Sequence, residues 1–397
     1  VSDRPLNVCV QADCREFLAT LPEASIDAVV TDPPYELAFM GKKWDGTGIA
    51  YSVPLWREAL RVLKPGGHLL AFGGTRTHHR MVCAIEDAGF EIRDEIQWLY
   101  GSGFPKSLDV SKAIDKAACA EREVVGKVAG MGKQNPKWNG TAQGRAENSF
   151  KSEYDATTPA TVAAKQWQGW GTALKPACEP ICVARKPLGG TVAANVLAHG
   201  TGAINVDGCR VDGTVTTNPL VRNVGGFGNN GMANQAEPPQ SVTSQGRWPA
   251  NVIHDGSEEV LAAFAVAGES KGAFAPVKKG HDGKSNGIYS DFAQKGDDGA
   301  TFRGDTGSAA RFFYSAKSSR LEREHFNNHA TVKPLALMRY LVRLVTPPGG
   351  TVLDWCAGSG TTLVAAKQEG FAFIGCELDE AHADIIRRRL ELELPFA

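Results

Sequence analysis

Two stretches of this chain, residues 7 to 100 and 333 to 392, alternate short apolar runs with amphipathic segments, and this restricts the fold more than any other feature. In the first stretch "NVCVQAD", "IDAVVTD", "HLLAFGG" and "EIRDEIQWLY" predict strands, and "CREFLATLP", "LWREALRVLKPGG" and "THHRMVCAIEDAGF" predict helices. In the second, "KPLALMRYLVRLVTPPGG", "TTLVAAKQEG" and "EAHADIIRRRLELEL" predict helices around the strands "TVLDWCAGSG" and "FAFIGCELD". Apolar strands separated by helices are joined by crossovers, not hairpins. The expected fold is therefore α/β, with a mostly parallel sheet covered on both faces.

Between these stretches the pattern dissolves. Residues 103 to 166 are polar and carry Lys106, Lys112, Lys116, Lys127, Lys133, Lys137, Arg145, Lys151 and Lys165, a local basic excess. "ACEPICVARKPL" reads as a strand returning to the core, and residues 189 to about 310 are again rich in Gly and Asn. Long loops of this kind are functional or disordered, and these are expected to face substrate. Lys+Arg (43) and Asp+Glu (44) nearly cancel, so a polyanion site has to be a local patch. The nine cysteines contain no C-x-x-C pair, which argues for a reducing compartment and against structural zinc; no metal site is expected. With no leader-like start in "VSDRPLNVCV" and no apolar run of membrane-spanning length, the expectation is a soluble, cytoplasmic protein.

Two motifs carry chemistry. In "LDWCAGSGTT" a strand end runs through Gly358 and Gly360 into a helix, which brings backbone N–H groups and a helix N-terminus to a ligand. The spacing is neither that of a dinucleotide loop nor that of a nucleoside triphosphate loop. Glu377, at the end of the next strand, is placed to accept both hydroxyls of a ribose, so the pair suggests a nucleoside cofactor. The other motif is "TDPPY". An exocyclic base amine is a weak nucleophile because its lone pair is delocalised into the ring. Asp32 and the Pro33 carbonyl would accept its two N–H bonds and localise that pair, two prolines would hold the geometry, and Tyr35 would stack on a flipped base.

With these residues the chain resembles the DNA amino-methyltransferases, S-adenosylmethionine-dependent enzymes that methylate N6 of adenine or N4 of cytosine. Their catalytic motif [DNS]-P-P-[YFW] is matched by Asp32, Pro33, Pro34 and Tyr35. Their cofactor loop, D-P-F-x-G-S-G-T-T, is matched by Asp354, Gly358, Ser359, Gly360 and Thr361, with Trp355 and Cys356 in place of the usual Pro and Phe and Ala357 at the variable position. The resemblance implies that S-adenosylmethionine is bound by Asp32, Asp354, Cys356, Ala357, Gly358, Ser359, Gly360, Thr361 and Glu377, with Asp13 near the adenine. Thr331, Lys333 and Pro334 match a T-x-K-P segment that begins a helix beside the methionine moiety.

The order of the motifs is similar to the family's β group, in which the usual methyltransferase sheet of about seven strands is cut between its second and third strands and rejoined. The implied arrangement is a catalytic half over 1–105, a polar basic insertion over 106–166, a core strand return over 167–190, a target-recognition region over 191–311 and a cofactor half over 312–397. "RWPANVIHD" and "RFFYSAKSSRLERE" resemble segments of phage-type and prophage-type members. The resemblance implies double-stranded DNA as the partner, base flipping and a role in restriction-modification, and admits a homodimer and a cognate restriction endonuclease. Adenine N6 is the first expectation, because Asp-Pro-Pro-Tyr is the commoner form among adenine enzymes. Cytosine N4 and an RNA or protein amine remain alternatives. No Pro-Cys dipeptide is present, which argues against methylation at cytosine C5.

Overall fold

A computed structural model describes residues 6–37, 43–103, 107–129, 153–217, 242–266, 308–316, 326–327, 329 and 331–392. Of the basic residues singled out above, Lys106, Lys133, Lys137, Arg145 and Lys151 lie outside these, as do the most glycine-rich parts of 189–310. In chain order the elements are β1 (Val8–Gln11), α1 (Cys14–Thr20), β2 (Ile26–Thr31), α2 (Val53–Val62), β3 (Leu63–Phe72), α3 (His78–Asp87) and β4 (Glu91–Leu99). There follow α4 (Val110–Ala117), β5 (Val124–Ala129), β6 (Glu153–Thr157), α5 (Val162–Gln166), β7 (Cys178–Arg185), α6 (Val192–His199), β8 (Val211–Thr217), β9 (Val242–Arg247), β10 (Val252–His254) and α7 (Glu258–Ala265). The chain closes with β11 (Tyr314–Ser315), α8 (Leu335–Val345), β12 (Thr351–Asp354), α9 (Thr361–Gln368), β13 (Ala372–Glu377) and α10 (Glu380–Glu391).

The described residues fall into two compact units, one of Val1–Gly101 with Cys178–Ala397 and one of Ser102–Ala177. The first is built on a nine-stranded sheet in the order β1-β13-β12-β2-β3-β7-β4-β10-β11. Its first seven strands are the sheet expected from the sequence. Two short strands, β10 and β11, extend it beyond β4, because backbone pairing at Val252–His254 and Tyr314–Ser315 continues in parallel from the edge. Strand β7 runs antiparallel between β3 and β4; the others pair in parallel.

Side chains alternate along the central strands and feed two cores. Ala28, Val30, Leu70 and Phe72 pack with Leu337, Leu341, Leu363 and Ile386 of α8, α9 and α10. Val29, Leu69 and Ala71 pack with Leu18, Trp56 and Ile85 of α1, α2 and α3. All six residues of β2 are buried, and its one charged member, Asp27, is paired with Lys64 Nζ at 2.6 Å and accepts from the Thr351 N–H at 2.8 Å. The helix expected over "LWREALRVLKPGG" stops at Val62. The following residues belong to β3, where a register shift opposite Ile26 and Ala28 accommodates Pro65 and two glycines.

The first and last strands of the sequence are neighbours: β1 pairs with β13 from Val8↔Ile374 to Gln11↔Glu377. The sheet thus has the permuted order that the motifs suggested. Strand β12 lies between β13 and β2, so the chain leaves adjacent strand ends in different directions at its C-terminal edge. In sheets of this kind that is where ligands bind.

The second unit has regular structure where the sequence reads as a polar excursion. Strands β5 and β6 form an antiparallel pair beside α4 and α5. Its anchor is Asp115, which is fully buried. It accepts hydrogen bonds from the Ala160 and Thr161 N–H groups (3.0 Å each) and the Thr161 hydroxyl (2.8 Å), and pairs with Arg122 Nη1 at 2.6 Å. The strand return expected over 167–190 starts only at Cys178; residues 167–177 lie in this unit, where Trp170 and Gly171 bond back to Val110 and Asp109.

Candidate active site

The site is built on the adjacent ends of β2 and β12, paired through Ala28↔Val352 and Val29↔Leu353. Asp354 is the last residue of β12, and Asp32 follows the last residue of β2. Between them the Thr31 hydroxyl donates to Asp354 Oδ1 at 2.8 Å, and the Cys356 N–H donates to the same oxygen at 3.1 Å. Asp354 is 1% exposed. Burial pushes its carboxyl up to about 7; hydrogen bonds from Thr362, Thr31 and the Cys356 N–H oppose the shift without cancelling it.

On the β2 side, Asp32, Tyr35, Glu179 and Lys333 form one cluster. Lys333 Nζ lies 3.0 Å from Asp32 Oδ2 and 2.8 Å from Glu179 Oε2, and donates to the Tyr35 hydroxyl oxygen at 2.8 Å. The Tyr35 hydroxyl in turn donates to Glu179 Oε2 at 2.9 Å. The ammonium also sits over the rings of Phe72 (4.8 Å) and Tyr35 (5.1 Å). Asp32 Oδ1 is buried and has no hydrogen-bond partner among the described residues. Burial raises the Asp32 pKa; Lys333 works against that and Glu179 adds to it. For Lys333 burial alone would lower the pKa, but the two carboxylates more than offset it, so the amine stays protonated. Thr77 fixes the backbone of the motif by donating its hydroxyl to the Tyr35 carbonyl at 2.7 Å.

On the β12 side the glycine turn is held from two directions. Gly358 (φ +56°) donates its N–H to Glu377 Oε2 at 2.7 Å, and Glu377 Oε1 accepts from the Asp379 N–H at 3.0 Å. Gly360, in the left-handed region at φ +78°, opens α9, and a Cβ there would lie 2.9 Å from Ile386 Cγ1. From behind, Arg389 is 1% exposed and donates through Nη1 to the Ser359 carbonyl (2.7 Å) and the Thr361 hydroxyl (3.0 Å). The Ser359 carbonyl and the Thr361 hydroxyl therefore tie the turn to α10.

Asp13 stands beyond the end of β1, next to Glu377 at the end of β13; it caps α1 by accepting from the Arg15 N–H (2.9 Å) and pairs with the Arg15 guanidinium. Thr331 is exposed and donates its N–H to His329 Nδ1 at 3.3 Å. The His329 ring reaches the glycine turn: a Cβ on Gly358 would be 3.3 Å from its Nε2. Burial, then His382, lowers the His329 pKa to about 4, so the imidazole is neutral near pH 7. Pro334 precedes the first turn of α8.

Three residues of this arrangement are absent from the motif reading. Glu179 had a signal, being a lone acid in the apolar run "CEPICVAR". Arg389 had another, since it follows Ile385 and Ile386 at helical spacing on the buried face of α10. His329 lies inside "NNHATVKP", where spacing alone assigns it no partner.

A glycine turn with a strand-end acid thus stands beside a carboxylate whose Oδ1 has no partner among the described residues, at the C-terminal edge of an α/β sheet. The family described as DNA methylase, the N6/N4 methyltransferases, matches residues 26–186 and 229–388, and the chain belongs to it. It is a DNA methyltransferase of the group that modifies exocyclic base amines. The type II methyltransferase M.HindIII of Haemophilus influenzae is 23% identical over 339 residues, 85% of this chain and 67% of the relative. The DNA adenine methyltransferase YhdJ of Escherichia coli is 38% identical over 69 residues, 17% of this chain and 24% of that protein. Among solved structures, the cytosine-N4-specific PvuII DNA methyltransferase has a TM-score of 0.43 at 13% identity, covering 98% of this chain and 87% of its own. The M1.HpyAVI complex with S-adenosylmethionine has a TM-score of 0.40 at 16% identity, covering 97% and 98%. Membership of the family rests on the sequence match. Among the described residues no helix is long and apolar enough to cross a membrane, and no group of His, Cys, Asp and Glu is arranged to hold a metal.

Proposed function

We propose that this protein transfers a methyl group from S-adenosylmethionine to N6 of adenine in double-stranded DNA, with the base flipped out of the helix. The observation that carries the amine chemistry is Asp32 Oδ1, a buried acceptor with no partner among the described residues, beside a backbone that two prolines hold. The donor set of the glycine turn fits the cofactor. Glu377 stands where the hydroxyls of a ribose would compete for its two oxygens, and Gly358 has no side chain to obstruct the approach. Asp13, which caps α1 two residues beyond the end of β1, is the residue that the resemblance puts near the adenine.

When bound, S-adenosylmethionine supplies a methyl carbon on a sulfonium; the amine nitrogen forms the new C–N bond and the C–S electron pair stays on sulfur. The chain's own groups act on the amine. Asp32 Oδ1 and the Pro33 carbonyl accept its two N–H bonds and turn its lone pair out of the ring. As positive charge develops on nitrogen the Asp32 carboxylate stabilises it, and its raised pKa suits it to receive the released proton before solvent does. Tyr35, its hydroxyl tied to Glu179 and Lys333, offers a fixed aromatic surface to the base.

Adenine is favoured over cytosine by the Asp-Pro-Pro-Tyr form of the motif and by the local likeness to an adenine methyltransferase. The test is incubation with labelled S-adenosylmethionine and duplex DNA, followed by digestion to nucleosides. Label in N6-methyladenine supports the reading, label in N4-methylcytosine replaces the base, and label only in RNA or protein removes DNA amine transfer from this site.

A further inference from the structure

The cluster around Asp32 contains two carboxylates and one cation, and the cation bridges both carboxylates. An ammonium has three N–H donors. Nζ of Lys333 lies within 2.8–3.0 Å of Asp32 Oδ2, Glu179 Oε2 and the Tyr35 hydroxyl oxygen, the last two being 2.9 Å apart and sharing one side of the ammonium. The ammonium is thus engaged by protein groups at the end of β2, whereas the resemblance implies a place for Lys333 beside the methionine moiety of the cofactor. The Lys333 side chain is 11% exposed and that of Glu179 is 19% exposed, so both charges are largely desolvated. Such a pair is costly unless its geometry is satisfied, as it is here.

We propose that Lys333 and Glu179 are positioning residues of the methyl transfer: Lys333 grips Asp32 by Oδ2 so that Oδ1 faces the amine, and Glu179 holds Lys333 and the Tyr35 hydroxyl in place. This rests on the proposed amine chemistry at Asp32. A carboxylate on a short loop would otherwise rotate about its last bond, and the ammonium removes that freedom. Glu179 adds a second function. With Asp32 and Glu179 ionised and Lys333 protonated, the cluster carries one net negative charge, whereas Asp32 and Lys333 alone would cancel. The transferred methyl group moves positive charge onto the amine, next to that net negative charge.

The charged and titratable groups around Asp32 are Lys333, Glu179, Tyr35 and Asp354, with Tyr100 beyond Glu179. Lys333 favours ionised Asp32 and Glu179 disfavours it, so the two substitutions should act in opposite directions on the acid limb of the pH–kcat profile. The experiment measures kcat, KM for S-adenosylmethionine and the pH profile of methyl transfer to duplex DNA for the parent, Glu179→Gln, Glu179→Asp, Lys333→Met and Lys333→Arg. In Glu179→Gln the acid limb moves to lower pH, and in Lys333→Met to higher pH. Each lowers kcat by about 10²-fold with KM for the cofactor within a few-fold. The Asp and Arg variants recover part of the loss, and decide the question should the neutral variants fail to fold. The proposal is overturned if the limb stays in place and kcat is near that of the parent. It is equally overturned if Lys333→Met and Lys333→Arg raise KM for the cofactor while kcat is unchanged, which would make Lys333 a cofactor ligand. A parent enzyme that methylates no DNA amine would instead refute the proposed function, independently of these variants.

Discussion

Thr31 donates its hydroxyl hydrogen to Asp354 Oδ1 over 2.8 Å, joining the two halves of the site across 323 positions of sequence. Both residues are buried, at the ends of the paired strands β2 and β12. The carboxyl titrates at about 7 against an ordinary value of 3.8, chiefly through burial. Between about pH 4 and pH 7 the folded protein therefore keeps a proton that the unfolded chain has released. Stability falls as pH rises through that window, by on the order of 4 kcal/mol at most, and levels off above it. Asp354→Asn keeps Oδ1 as an acceptor for Thr31 and Cys356 but cannot ionise. Denaturant titrations of the cofactor-free protein should show this slope in the parent and a flatter dependence in the variant; parallel curves would show that Asp354 ionises normally.

In the proposed reaction Asp32 acts on the amine, and the glycine turn is a separate structure held by Glu377 and Arg389. Asp32→Ala should bind S-adenosylmethionine with a Kd within a few-fold of the parent while kcat drops by about 10³-fold. Calorimetric titration and a rate assay on duplex DNA separate the two quantities. Turnover near the parent level would take Asp32 out of the chemistry.

Arg389 supports the glycine turn from α10. Replacing it with Leu leaves the buried Ser359 carbonyl without its donor from Nη1, and should cost roughly 3 kcal/mol of stability. Cofactor binding should weaken as well, because the turn from Ser359 to Thr361 loses its brace. Thermal unfolding with and without S-adenosylmethionine checks both, and an unaltered midpoint would show that α10 supports the turn by packing alone.

The second unit depends on a single carboxylate. Burial works to raise the pKa of Asp115, but the Ala160 and Thr161 N–H groups, the Thr161 hydroxyl and Arg122 outweigh it and hold the carboxyl at about 2. Its contribution is complete above the ordinary value of 3.8 and is lost as pH falls from about 4 through about 2. Amide exchange at Ala160 and Thr161 should therefore accelerate on acidification in the parent. In Asp115→Asn it should be fast and nearly pH-independent once corrected for intrinsic rates; equal protection in both proteins would rule out the anchor.

The strands and helices of the cofactor half and of the catalytic half were legible because each buries a periodic apolar pattern. The expected strands of "IDAVVTD" and "FAFIGCELD" are β2 and β13 with little change in bounds. The end of α2 was not, since "LKPGG" carries the ordinary signals of a helix stop and only pairing with β2 makes it strand. Nor was the second unit, whose order comes from polar contacts to Asp115 that leave no apolar period to read.

By itself the sequence determined the parallel sheet and the two motifs, because these follow from local periodicity and from residue types at short spacing; the permuted order of the strands followed from the resemblance of the motif order to the family's β group. Which groups meet was decided by the tertiary structure. Tyr35 and Glu179 are 144 positions apart, Lys333 and Glu179 are 154 apart, and Lys333 and Tyr35 are 298 apart. Sheet order and strand register bring them to one point, and only there does Lys333 bridge Glu179 and Asp32, leaving Asp32 one oxygen with no partner among the described residues.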